Sequence, residues 1–85
     1  MVDMAQKSVK ERLAGTLLYL EENFGTDTDG ALRLQLSREE LAGMIGTATE
    51  SCIQLLSELN KSDLIELLGK RIKIIDKNKL RRLAE

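Results

Sequence analysis

Histidine is absent from the 85 residues, and cysteine occurs once, at Cys52. Lack of histidine removes the commonest general base near neutral pH, together with the Ser-His and Cys-His nucleophile pairs, so ordinary hydrolase chemistry is disfavoured. A zinc site would need several thiolates that the chain does not have, and a single cysteine cannot close an internal disulfide. The aromatics are Tyr19 and Phe24 alone, too few to stack the bases of single-stranded nucleic acid or RNA. Any nucleic-acid role therefore falls to duplex binding. No run of about 18 apolar residues exists, and Met1-Val2-Asp3-Met4-Ala5-Gln6 lacks the basic-then-apolar profile of a signal peptide. A membrane span and secretion are disfavoured.

What remains is one domain's worth of chain, 9.5 kDa with 42% apolar and 32% charged residues, enough to build a core and to exclude long disorder. Formal net charge is −1, but it is unevenly placed. Through Asn60 there are five basic residues against ten acidic ones; from Lys61 onward there are eight against four. A basic final third behind a near-neutral total points either to a nucleic-acid or acidic-partner face, or to an ordinary solvated helix.

Along the chain, Val9, Leu13, Thr16-Leu17, Leu20 and Phe24 recur at three and four residues, which predicts an amphipathic helix from about Ser8 to Phe24 stopped by Gly25. Thr26-Asp27-Thr28-Asp29-Gly30 is a polar turn, after which Leu32, Leu34 and Leu36 alternate with Arg33 and Gln35 as in a short half-buried strand. Ser37 and Glu40 are spaced as a capping box, so a helix starts at Arg38, buries Leu41, Met44 and Ile45, and stops at Gly46. Thr47 and Glu50 repeat that spacing directly after the glycine. Two capped helices joined by a tight turn are the signature of a helix-turn-helix.

The second of these helices is expected over about 48–60, with Cys52, Leu55, Leu56 and Leu59 on one face. Its opposite face carries Glu50, Ile53, Gln54, Ser57 and Lys61, flanked by Thr49. Leu64-Ile65-Glu66-Leu67-Leu68 and Arg71-Ile72-Lys73-Ile74-Ile75 predict a hairpin with a basic tip around 69–71. Asp76 then caps a last basic helix through about Leu83, docked by Leu80 and Leu83. The expected fold is mainly α with a small β-hairpin, a winged helix-turn-helix. Cys52, on the buried face, reads as a small core hydrophobe. Lys77, Lys79, Arg81 and Arg82 read equally as a solvated face or a clamp on a nucleic-acid backbone.

The stretch LSREELAGMIGTATES, residues 36–51, resembles the C-terminal DNA-binding domain of the Crp/Fnr superfamily of bacterial transcription regulators, the cyclic-AMP receptor and fumarate-nitrate regulator group. The likeness runs from Val9-Lys10-Glu11-Arg12-Leu13-Ala14, through Leu55 to Leu59, to Gly69-Lys70 and the Ile72, Ile74, Ile75 strand. It implies that Ser37 and Arg38 contact phosphate at the start of the first helix, and that Glu50 reads a base. A carboxylate there can accept from a cytosine amino group in the major groove. Where the family usually has a guanine-reading arginine this chain has Gln54, whose amide can pair with adenine or contact a phosphate. Where the cyclic-AMP receptor branch has a second arginine it has Thr49. Ile53 can meet a thymine methyl.

The resulting assignment has Thr49, Glu50, Ile53 and Gln54 reading bases, and Ser37, Arg38, Thr47, Ser51 and Lys70 positioning the domain on phosphates. Two residues carry competing structural roles: Glu50 as partner of Thr47 in a capping box, and Arg38 in a surface ion pair with its acidic neighbours. The resemblance further implies double-stranded DNA as partner, a homodimer in the full-length regulator, RNA polymerase as a further contact and a cytoplasmic location. It implies an N-terminal effector domain and dimerisation helix outside these residues, and neither cofactor, metal nor catalytic residues within them. The acidic first part of the chain and the missing arginines favour the alternative, a winged-helix protein-interaction module without DNA binding.

Overall fold

The computed structural model describes residues 8–85. The first helix, α1 (Val9–Phe24), opens with a capping box that the sequence pattern did not predict: Ser8 Oγ accepts the Glu11 N–H at 3.1 Å, and Glu11 Oε1 accepts the Ser8 N–H at 2.7 Å. It closes at Gly25, whose N–H donates to Glu21 O. Leu13, Ala14, Leu17 and Leu20 are its buried stripe, while Phe24, expected inside, is 45% exposed.

Next come α2 (Arg38–Ile45) and α3 (Thr49–Lys61), then the antiparallel pair β1 (Ile65–Leu68) and β2 (Arg71–Ile74), and finally α4 (Lys77–Ala84). The hairpin register places Ile65 opposite Ile74 and Leu68 opposite Arg71, so Gly69 and Lys70 form the tip. Gly69 has φ 66°, the left-handed geometry that the first position of such a two-residue loop requires. This is the winged helix-turn-helix architecture expected from the sequence.

One core joins all these elements: Leu13 and Leu17 from α1, Leu41 and Ile45 from α2, Cys52, Leu56 and Leu59 from α3, Ile65 and Ile72 from the hairpin, and Leu80 from α4. Each fully buried leucine or isoleucine contributes about 1.5–3 kcal/mol. α4 runs antiparallel to α1, with Lys77 Nζ on Glu21 Oε1 at 2.8 Å at one end and Ala84 facing Gly15 at the other. Arg12 Nε donates to Ile45 O at 2.9 Å, tying α1 to the end of α2 just before the turn.

Three further expectations are corrected. Of the strand predicted at 32–36 only Leu32 takes part in a bridge, to Thr26, with the preceding residue Ala31 bridging Lys73. Leu32 N–H reaches Ile72 O at 2.8 Å, after which the chain leaves the edge of β2 to reach the cap of α2. The alternation is still real, with Leu34 and Leu36 packed against the core and Arg33 and Gln35 exposed, but it reports an extended one-sided segment without a ladder. Met44 is 52% exposed instead of buried, since α3 crosses the other side of α2.

The third correction concerns the second capping box, which does not form. α3 starts one residue later than that spacing implies, with Ala48 at its N-cap and no side-chain cap. The reason lies in α2: Gly46 turns left-handed at φ 77°, and the N–H groups of both Gly46 and Thr47 bond Ala42 O. Thr47 thereby belongs to the end of α2 and cannot cap α3.

Candidate DNA interface

A backbone turn this short points α3 across α2 and leaves one side of α3 in solvent. Cys52, Leu56 and Leu59 fix the buried side. At about 100° per residue the opposite side presents Glu50, Ile53 and Gln54, all exposed, with Ile53 at 48%. Together with half-buried Ser51 they line one shallow surface groove. Thr49 is half-buried on the flank. With no box to complete, the Glu50 carboxylate makes no hydrogen bond or ion pair among the described residues, so the competing capping role is gone. With no cap on Ala48, the first N–H groups of α3 also stay open to solvent or an anion.

A second cluster forms where α2 meets the wing. Ser37 Oγ accepts the Glu40 N–H at 3.0 Å, and Glu40 Oε1 accepts the Ser37 N–H at 2.9 Å. The hydroxyl proton of Ser37 is left as a donor. Arg38, instead of pairing with Glu39 or Glu40, reaches across to the hairpin tip, with its guanidinium nitrogens 3.4 Å from the carbonyl oxygens of Gly69 and Lys70. Ser37, Arg38, Gly69 and Lys70, with Gln35, Leu36 and Glu40, line an open cleft of about 470 Å³. Residues 32 positions apart are thus joined into one partly basic edge.

Cys52 is fully buried, and desolvation pushes its thiol above the ordinary range while the Arg38 charge opposes this. It is the small core residue expected. The basic final third is less free than its charge count implies: Lys77 pairs with Glu21, Lys79 lies 4.0 Å from Asp76, and Arg71 is held by Asp27 and Asp29. Neither the Arg12 contact nor those of Arg71 were predicted from the sequence. The available signal for the latter was an acidic turn, Asp27-Thr28-Asp29-Gly30, in a chain whose cations cluster elsewhere.

A family model described as the Crp-like helix-turn-helix domain matches residues 11–83. The chain belongs to that family. Its Crp-like domain is the DNA-binding domain type of Crp/Fnr transcription regulators, which are not an enzyme class. It is 35% identical over 86 residues to the "CRP-like cAMP-activated global transcriptional regulator" of Mycobacterium tuberculosis, covering 99% of this chain and 38% of that protein. It is 35% identical over 83 residues to "Electron transport regulator A" of Shewanella oneidensis, covering 95% and 33%. The Crp-like domain thus spans less than two fifths of either relative's length. Among solved structures, a CRP/FNR-family transcriptional regulator from Thermus thermophilus superposes with TM-score 0.82 at 28% identity, covering 95% of this chain and 42% of that one. The CO-dependent transcription factor CooA from Carboxydothermus hydrogenoformans does so with TM-score 0.82 at 26% identity, covering 92% and 37%. Among the described residues no helix is long and apolar enough to cross a membrane.

Proposed function

We propose that this domain reads duplex DNA by laying α3 in the major groove, with the wing on the adjacent backbone. The observation that carries the reading is the outer side of α3, where Glu50, Ile53 and Gln54 stand exposed on a helix whose other side is locked into the core. Glu50 accepts from a cytosine amino group, Gln54 pairs with adenine, and Ile53 and Thr49 meet thymine methyls or base edges. Ser37 and Arg38 at the start of α2, Thr47 and Ser51 around the start of α3, and Lys70 on the wing hold phosphates. Arg38 does so by exchanging its weak 3.4 Å contacts with the wing for a charged oxygen.

In a full regulator the domain acts in a cytoplasmic homodimer that reads two half-sites one helical turn apart and contacts RNA polymerase. It uses no cofactor of its own. The test is selection of bound sequences from a randomised duplex pool at low salt. Enrichment of a motif that loses one base preference in Glu50→Ala and a different one in Gln54→Ala is the expected result. A pool that returns no motif, with no measurable binding, would overturn the reading.

A further inference from the structure

Arg71 opens β2 beside the wing tip, where charge and place make it look like a second phosphate partner next to Lys70. Its surroundings are different. Nη1 donates to Asp29 Oδ2 at 2.6 Å, and Nη2 donates to Asp29 Oδ1 at 3.1 Å and to Asp27 Oδ2. Nε is buried without a hydrogen-bond partner among the described residues, so the guanidinium is turned into the loop between α1 and α2. The carboxylates are themselves held. Asp29 Oδ1 accepts the Ala31 N–H at 3.3 Å, the Gly30 N–H closes the turn on Asp27 O at 2.9 Å, and Arg33 Nε lies 3.8 Å from Asp27 Oδ1. The Ala31 N–H holds the Asp29 carboxyl below its ordinary range, partly opposed by desolvation and reinforced by Arg71. Two carboxylates compensate the two guanidiniums here, and the Lys73 side chain lies against Gly30 of the same loop, so the Arg71 charge is matched inside the fold.

We propose that Arg71 is a positioning residue for the wing and not a DNA contact: held by Asp27 and Asp29, it fixes the Gly69-Lys70 tip so that Lys70 presents the tip's positive charge. The role rests on the DNA-binding reading above. The same loop is already joined to β2 through Leu32 N–H on Ile72 O and the bridge from Ala31 to Lys73. Arg71 carries that attachment to the residue next to the tip. A two-stranded hairpin is marginal by itself, and Arg38 offers the tip only 3.4 Å contacts. The fork geometry of a guanidinium matches paired carboxylates in a way a lysine ammonium cannot, whereas a lysine serves well against a phosphate.

That difference makes R71K the deciding variant. Affinity of the chain for a duplex carrying the selected motif is measured by fluorescence anisotropy across a salt series, for the wild type, K70A, R71K, R71M and the R71K/K70A and R71M/K70A doubles. R71K is expected to weaken binding as much as R71M does, roughly fivefold, and to lower the salt slope by about one as K70A does. Adding K70A to either Arg71 variant is expected to change nothing more, because Lys70 has already lost its place. Wild-type binding by R71K, or a slope lowered by about two in R71M/K70A, would instead make Arg71 an independent phosphate contact and overturn the proposal. A DNA-free arm separates this from failure of the function itself: hydrogen exchange of the Leu32 amide is expected to be faster in R71K than in the wild type. Unchanged exchange overturns the clamp, whether or not the chain binds DNA.

Discussion

Gly43 sits inside α2 with open space where a β-carbon would stand, and Gly15 sits inside α1 where one would meet Ala84 Cβ at an ordinary 3.8 Å. Neither needs to be glycine for steric reasons. Gly43→Ala and Gly15→Ala should each raise stability by about 0.5–1 kcal/mol by removing the entropic cost of glycine in a helix, read as a later midpoint in urea. A loss of stability in either would mean that the local packing is tighter than described. Gly46 is the opposite case, because φ 77° there strains any β-carbon, and the turn into α3 depends on that angle. Cys52 provides a second test at the same scale. Its thiol is buried and its pKa raised by desolvation, so the folded state favours the protonated form. The contribution is complete below the ordinary thiol range and is lost as pH rises through the raised folded value. Iodoacetamide should accordingly label Cys52 at neutral pH only under denaturing conditions. Prompt labelling in native buffer would contradict its burial.

At the scale of elements, the helices differ in how their ends are closed. Ser37 caps an eight-residue helix, so Ser37→Ala should cost about 1 kcal/mol and also weaken DNA binding through the edge it shares with Arg38. α3 has no side-chain cap, and Ala48→Ser should stabilise the domain by about 0.5–1 kcal/mol. Ala48→Asp should stabilise it similarly and yet weaken DNA binding, because it places a negative charge where the first N–H groups of α3 face phosphates. Thermal melts paired with anisotropy would separate the two effects; equal affinity in both variants would place that helix end away from the backbone. The same residues show where sequence reasoning stops. Helix positions, the hairpin and the outer side of α3 were legible because period, glycine stops and rotation about a helix are local properties. Thr47 and Glu50 have the spacing of a box, but the competing bond to Ala42 O belongs to the preceding helix. Leu32 to Leu36 have the alternation of a strand, but pairing depends on the edge of β2, far along the chain. The contacts of Arg12 and Arg71 span 33 and 42 to 44 residues, beyond any spacing rule.

For the whole molecule, a net charge of −1 on a DNA-binding domain means that only a few correctly placed cations attract the duplex. Arg38 and Lys70 are the charged members of the proposed backbone contacts, whereas Arg71 and Lys77 are balanced by carboxylates within the fold. Each phosphate neutralised contributes about −0.9 to the slope of log affinity against log salt concentration, so two such contacts predict a slope of about −2 for one domain on one half-site. Arg81 and Arg82, exposed on α4 with no ion pair among the described residues, remain the test of this count. α4 packs along α1 with Leu80 inward, and this turns the two arginines to solvent. If α4 also clamps the backbone, the slope should steepen to about −4, and Arg81→Gln with Arg82→Gln should bring it back toward about −2. If α4 is a solvated face, the double substitution leaves both slope and affinity unchanged. We expect the latter, because α4 packs along α1 and the Arg38 contacts that join α2 to the wing do not involve it.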